Sequence, residues 1–143
     1  MKQKKLATAF DDPGFMHSRE ARSIRILSEY LEPEKRFKDM NIQHTVVFFG
    51  SARTRPDGGS ENEKRYYHMA ADFSFALANM SKDIEKETGH TFYICTGGGP
   101  GIMEAANLGA TRAGSQSIGL NIDLPYEQAP NKYITPELMF NFH

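Results

Sequence analysis

The chain has 143 residues, of which 39% are hydrophobic and 24% charged, with 17 basic and 18 acidic side chains giving a net charge of −1. That composition is globular and excludes a disordered tail, a collagen-like rod and a helical membrane span, since even the longest apolar runs, such as Val46–Phe49, fall far short of the ~20 residues a bilayer needs. There is no basic excess to attract nucleic acid, and the single Cys95 has no partner within the chain for a disulfide.

Residues 1–18 lack apolar periodicity, and Asp12-Pro13-Gly14 reads as a turn within a mobile arm. From Arg19 to Leu31, Ile24, Leu27 and Leu31 recur at helical spacing, so a short helix is expected, ended by Pro33. A further turn or two of helix is expected over Glu34–Met40, with Phe37 inward. Thr45–Phe49 is an unbroken β-branched and aromatic run that ends at Gly50-Ser51, and it reads as a parallel strand buried on both faces. A polar loop comes next. Ser60-x-x-Glu63 then makes a capping box at the head of a long helix, whose apolar stripe is Tyr66, Ala70, Phe73, Leu77, Met80 and Ile84, with a stop near Gly89. The Met and Phe residues at this spacing read as core.

Thr91–Cys95 is the second expected strand and Ser117–Asn121 the third, with a helix over Ile102–Ala113 between them. Strand, helix, strand, helix, strand implies an α/β fold with a Rossmann-like doubly wound parallel sheet, of which this is one half, behind an N-terminal arm and helical extension over 1–43. Thr135-Pro136-Glu137 carries an N-cap, a proline at the first helical position and an early carboxylate. A helix is therefore expected to begin there and to be cut at His143, with 44–143 the first half of a truncated domain.

Seven of the twelve glycines lie between Gly97 and Gly119. The run Gly97-Gly98-Gly99-Pro100-Gly101 joins a strand to a helix at the carboxyl edge of the sheet, where unshielded amides and the helix dipole favour an anion such as phosphate. It matches neither the dinucleotide fingerprint, because Ile102 stands where the third glycine belongs, nor the P-loop, because no Gly-Lys pair occurs. Ser51 at the same edge is either a ligand contact or an ST-turn. Arg53 and Arg55 are either phosphate partners or solvated, and Glu104 in the first helical turn either complements the dipole or serves as an acid-base group. Cys95 reads as a buried small hydrophobe. The five histidines show no metal-ligand spacing, and neither metal nor cofactor is expected.

The stretches VVFFGSARTRPDGG and FYICTGGGPGIMEAANLGATRAGSQSIGLNIDLPYEQAPNKYIT resemble the LOG (Lonely Guy) family of Rossmann-like proteins, once labelled lysine decarboxylases. The resemblance covers roughly residues 19–143. It implies hydrolysis of the N-glycosidic bond of a nucleoside 5′-monophosphate, AMP-like or cytokinin-type, to free base and ribose 5-phosphate, in a homo-oligomer (dimer). A cytoplasmic setting is expected from the lack of an apolar h-region behind Met1-Lys2-Gln3-Lys4-Lys5, and no nucleic acid or membrane partner from the charge balance and the short apolar runs. It further implies that Gly50, Ser51, Arg53, Gly97, Gly98, Gly99, Gly101, Met103 and Glu104 bind substrate or its phosphate. The family's Arg-Lys pair and PGGxGTxxE loop, which carry its phosphate cradle and catalytic groups, do not occur in this sequence, so no catalytic residue is assigned. Two other expectations stand beside this one. The first is a non-catalytic nucleotide-binding half-domain completed by a partner chain. The second, disfavoured by the charge balance, is a relative of the DNA-processing Rossmann proteins that share a GS turn.

Overall fold

The computed structural model describes residues 6–123 and 129–143. The expected arm and the family-like string thus lie partly outside the described residues. The chain divides into two units, Met1–Lys35 and Arg36–His143.

In the first unit, Asp12-Pro13-Gly14 is the start of a helix. α1 (Pro13–Met16) is capped by Asp12, whose Oδ1 accepts from the Gly14 amide at 2.9 Å. Proline at the first position has no N–H to leave unsatisfied. Arg25 donates to the Met16 and Ser18 carbonyls at 2.7 Å each, tying the end of α1 to the next helix. That helix, α2 (Arg22–Asp39), runs through Pro33 instead of stopping at it. A proline removes one N–H from the ladder, but tertiary anchors hold the last turn: Arg36 donates to the Glu137 and Met139 carbonyls, and the Phe37 ring meets Phe140 edge-on at 5.6 Å. The expected stripe of Ile24, Leu27 and Leu31 exists, but it faces outward.

The second unit is α/β and Rossmann-like. Its elements are β1 (His44–Phe48), α3 (Glu61–Thr88), β2 (Phe92–Thr96), α4 (Ile102–Arg112), β3 (Ser117–Ile122), a 3-10 turn over Pro136–Leu138, and β4 (Met139–Phe142). The four strands lie in the order β1-β2-β3-β4 and all are parallel. Helices cover one face, where Ile94, Ala106 and Ala110 form a core with Val46, Phe48 and Leu77. On the other face Ile42, Cys95, Ile118, Leu138 and Phe140 pack with Phe37 and Met40.

Three expectations are corrected. β1 is not buried on both faces: it is an edge strand, and Val47 is 50% exposed. On α3 the buried residues are Tyr67, Ala71, Ser74, Ala78 and Ser81, one position round from the expected stripe, while Tyr66, Phe73 and Met80 are exposed. Close helix contact decides this: a Cβ on Gly109 of α4 would fall 2.2 Å from the Ala71 carbonyl oxygen, so small residues are needed where the helices meet at Gly109. Finally, Thr135-Pro136-Glu137 gives a single 3-10 turn that passes directly into β4, not the start of an α-helix. Pairing of Met139–Phe142 with Gly119–Ile122 and burial of Phe140 outweigh the local helix signal. The capping box on α3 is as expected, with Ser60 Oγ accepting from the Glu63 amide and Glu63 Oε2 accepting from the Ser60 amide at 2.6 Å, and Gly89 ends the helix at φ +74°.

Candidate functional site

Two strand-to-helix turns leave the carboxyl edge of the sheet side by side, one after β1 and one after β2. They interlock through backbone. The Ile102 amide at the head of α4 donates to the Ser51 carbonyl at 3.0 Å. A Cβ on Gly101, where φ is +76°, would lie 2.1 Å from that same Ser51 oxygen, so glycine is demanded on two grounds. Gly50 sits against Ile102 in the same way, with a Cβ there 2.6 Å from the Ile102 side chain. Gly50, Ser51, Gly101 and Ile102 thus form one joint.

The inner part of the glycine turn is fixed by a buried polar network. Thr96 Oγ1 accepts from the Gly98 amide at 2.9 Å and donates to Asn107 Oδ1 at 2.8 Å. Asn107 Nδ2 donates in turn to Ser117 Oγ at 3.0 Å. From the β3–β4 connection, Asn131 donates through its backbone to the Gly98 carbonyl at 2.9 Å, and through Nδ2 to the Gly98 and Gly99 carbonyls at 3.1 Å each and to Asn107 Oδ1 at 2.9 Å. The carbonyls of the turn are therefore drawn inward. Among the described residues, the Gly99 and Gly101 amides meet no acceptor. Gly98, at φ +73°, leaves no room for a Cβ beside Asn121.

This arrangement can hold an anion at the head of α4, where free amides and the positive end of the helix dipole coincide. Gly97, Gly98, Gly99, Gly101 and Met103 are brought together here with Gly50 and Ser51, Met103 Sδ lying close over Gly97. Ser51 Oγ is engaged locally, accepting from the Arg53 amide at 3.1 Å, which is the ST-turn alternative. Arg53 is exposed on the loop. Glu104 turns toward α3, where the buried Tyr67 hydroxyl donates to its Oε1 at 3.2 Å. Burial, followed by the nearby Glu104 carboxylate, pushes the Tyr67 phenol well above its ordinary range, so it remains a donor.

Cys95 is buried and its thiol is pushed up to about 11 by desolvation, as suits a small hydrophobe. Among the described residues no group of three or more His, Cys, Asp or Glu stands together to hold a metal ion, and no helix is long and apolar enough to cross a membrane. A cleft of about 420 Å³ opens beside Gly101, and an apolar groove of about 530 Å³ runs between Phe48, Tyr66, Met69, Phe73 and Ile102.

Thr96, Asn107, Asn131 and Tyr67 lie outside the set of residues that sequence reasoning singles out. For Asn107 a signal exists, a polar residue on the small, glycine-rich face of α4. Asn131 has none, because its partners are backbone carbonyls more than thirty residues away. No protein-family model matches this chain, and no curated protein matches it.

Proposed function

We propose that this chain is a LOG-type nucleotide-binding protein whose glycine turn takes the phosphate of a nucleoside 5′-monophosphate. The observation that supports this best is the string Gly97–Asn107, carried on a strand-to-helix turn whose carbonyls are pinned inward by Asn131 while two amides at the head of α4 stay open. An anion there meets N–H donors and the helix dipole together. Gly50-Ser51 forms the adjoining wall.

The family's reaction is the associated activity. The bond between C1′ and the base nitrogen breaks with oxocarbenium character at the sugar, water supplies hydroxide to C1′, and its proton goes to the departing base. This chain's described residues have binding roles in that scheme, and none is assigned to the bond-breaking step. A homo-oligomeric, cytoplasmic protein that needs no cofactor belongs to the same proposal.

Calorimetric titration with AMP tests the binding, and chromatography of AMP incubations for free adenine tests the hydrolysis. Saturable AMP binding that inorganic phosphate competes away is the expected result. Absence of AMP binding, or binding indifferent to phosphate and to changes in the glycine turn, would refute it.

A further inference from the structure

Among the described residues β1 pairs with β2 alone, so one row of its amides and carbonyls meets no strand. His44-Thr45-Val46-Val47-Phe48 carries none of the usual guards of such an edge, neither lysine nor proline nor a bulge. On the helical face the α3 stripe of Tyr66, Met69, Phe73 and Met80 stands 47–59% exposed beside this edge. Its Phe73 ring meets Phe48 at 5.8 Å, and the apolar groove of about 530 Å³ lies between them. Val47 alternates to the other face and is half exposed there. A strand laid along β1 would thus find apolar surface on both of its sides. With ~200 Å² for each whole side chain, these five expose roughly 500 Å². That falls short of the ~800 Å² a side of a standard protein interface. It suits one extended segment as long as β1.

The two ends of the groove differ in charge. α3 runs back across the parallel sheet, so its head lies with the carboxyl end of β1. Arg53 and Arg55 on the loop and Arg65 on α3 are all exposed at that end, opposed by Asp57. Glu61 and Glu63 there are already held by Lys64 and by the Ser60 amide. Past Met80, at the far end, the same face of α3 carries Asp83 and Glu87, with Lys86 bridging to the first at 2.9 Å.

We infer that β1 and the α3 stripe form a docking groove for an extended segment of a partner protein. The segment is an unbroken apolar run of about five residues followed directly by an acidic group, and it adds to the sheet parallel to β1. Backbone bonds to the open edge hold it, while its side chains alternate between the Phe48–Phe73 groove and the Val47 face. Charge fixes the direction: a parallel segment ends beside the three arginines, and an antiparallel one would end beside Asp83 and Glu87. The groove needs no nucleotide in the glycine turn.

Fluorescence anisotropy on the full chain tests this with a dye-labelled, carboxyl-amidated peptide, Ser-Gly-Val-Ile-Val-Phe-Val-Asp-Glu. Three altered peptides accompany it: one with prolines at the second and fourth places of the run, one with the acidic pair ahead of the run, and one ending in lysines. Saturable binding of the first peptide is expected, weakened about tenfold or more by the prolines, by Phe73→Ser and by Val47→Lys. The acid-first peptide should bind about threefold more weakly, and Arg65→Glu should erase the preference for acid over lysine, the scale of exposed charge pairs. Phe73, Val47 and Arg65 are exposed, and thermal melts check that their variants fold; if they do not, the four peptides on the native protein decide the matter. Absence of binding, binding indifferent to the prolines, or an equal or better fit of the acid-first peptide overturns the inference. A native dimer in light scattering that Phe73→Ser splits also overturns it, because a second copy then covers the face.

Discussion

The units β1–turn–α3 and β2–turn–α4 share one layout and are held by opposite means. Val47 and Cys95 are register partners on neighbouring strands, yet Val47 is 50% exposed and Cys95 only 3%. The turn after β2 is set from beneath by Thr96, Asn107 and Asn131, all buried. Among the described residues, the turn after β1 has only the local Ser51–Arg53 bond and whatever the glycine turn lends it through Ile102 and Gly101. Similar strand–turn–helix sequences therefore yield one rigid turn and one dependent turn. Rigidity here comes from a buried hydrogen-bond network, not from apolar content.

The sharpest way to break the contrast is Gly101→Ala. It strains a positive-φ position and drives a methyl into the Ser51 carbonyl, so a loss of at least ~3 kcal/mol is expected in urea unfolding, with AMP binding abolished. Both turns fail together, because this residue joins them.

Asn131→Ala attacks the rigid turn alone. It strips the side-chain donor from the Gly98 and Gly99 carbonyls and from Asn107 Oδ1, and should cost about 2–3 kcal/mol by the penalty for unsatisfied buried groups. Hydrogen exchange should speed up at the Gly98 amide and hardly change at Arg53. Equal acceleration at both would refute the independence of the two turns.

Alkaline titration separates the strands. The Cys95 thiol rises from its ordinary 9.0 to about 11 on folding, so the protonated native state holds its full advantage below pH 9 and loses it as pH climbs toward 11. Two pKa steps amount to about 3 kcal/mol at most, and Cys95→Ala should flatten that slope in urea midpoints measured across the window. No change of slope would show that another group governs it.

The smallest effect is expected from Ser51→Ala. Its hydroxyl serves an exposed turn, so unfolding stability should shift by less than about 1 kcal/mol. A larger loss would mean that the first turn stands on its own footing after all.

Much of this frame is legible in the sequence. The unbroken runs at 45–49 and 91–95, the capping box at Ser60 and Glu63, and the glycines around Pro100 locate three strands, two helices and the edge where the turns lie. The features that escape it are set by distant partners. Hydrophobicity picks Phe73 and Met80 for the α3 interior, but closeness to Gly109 picks Ala71 and Ser74. Pro33 looks like a stop until Arg36 and Phe37 find Met139 and Phe140. Thr135-Pro136 spells a helix start, and only the open edge of β3 makes Met139–Phe142 a strand. At the site, glycines announce the turn, while the asparagines that fix it look like ordinary polar residues.

The strand order β1-β2-β3-β4 repeats the order of synthesis. Each new strand docks on the one made just before it, across a single helix or loop, and none has to be inserted between two already placed. The sheet can thus grow from one side as the chain emerges, without waiting for distant segments, and the loop-closure entropy of each step stays small. On that route Asn131, arriving after β3 and ahead of β4, locks a glycine turn whose backbone has already been laid down.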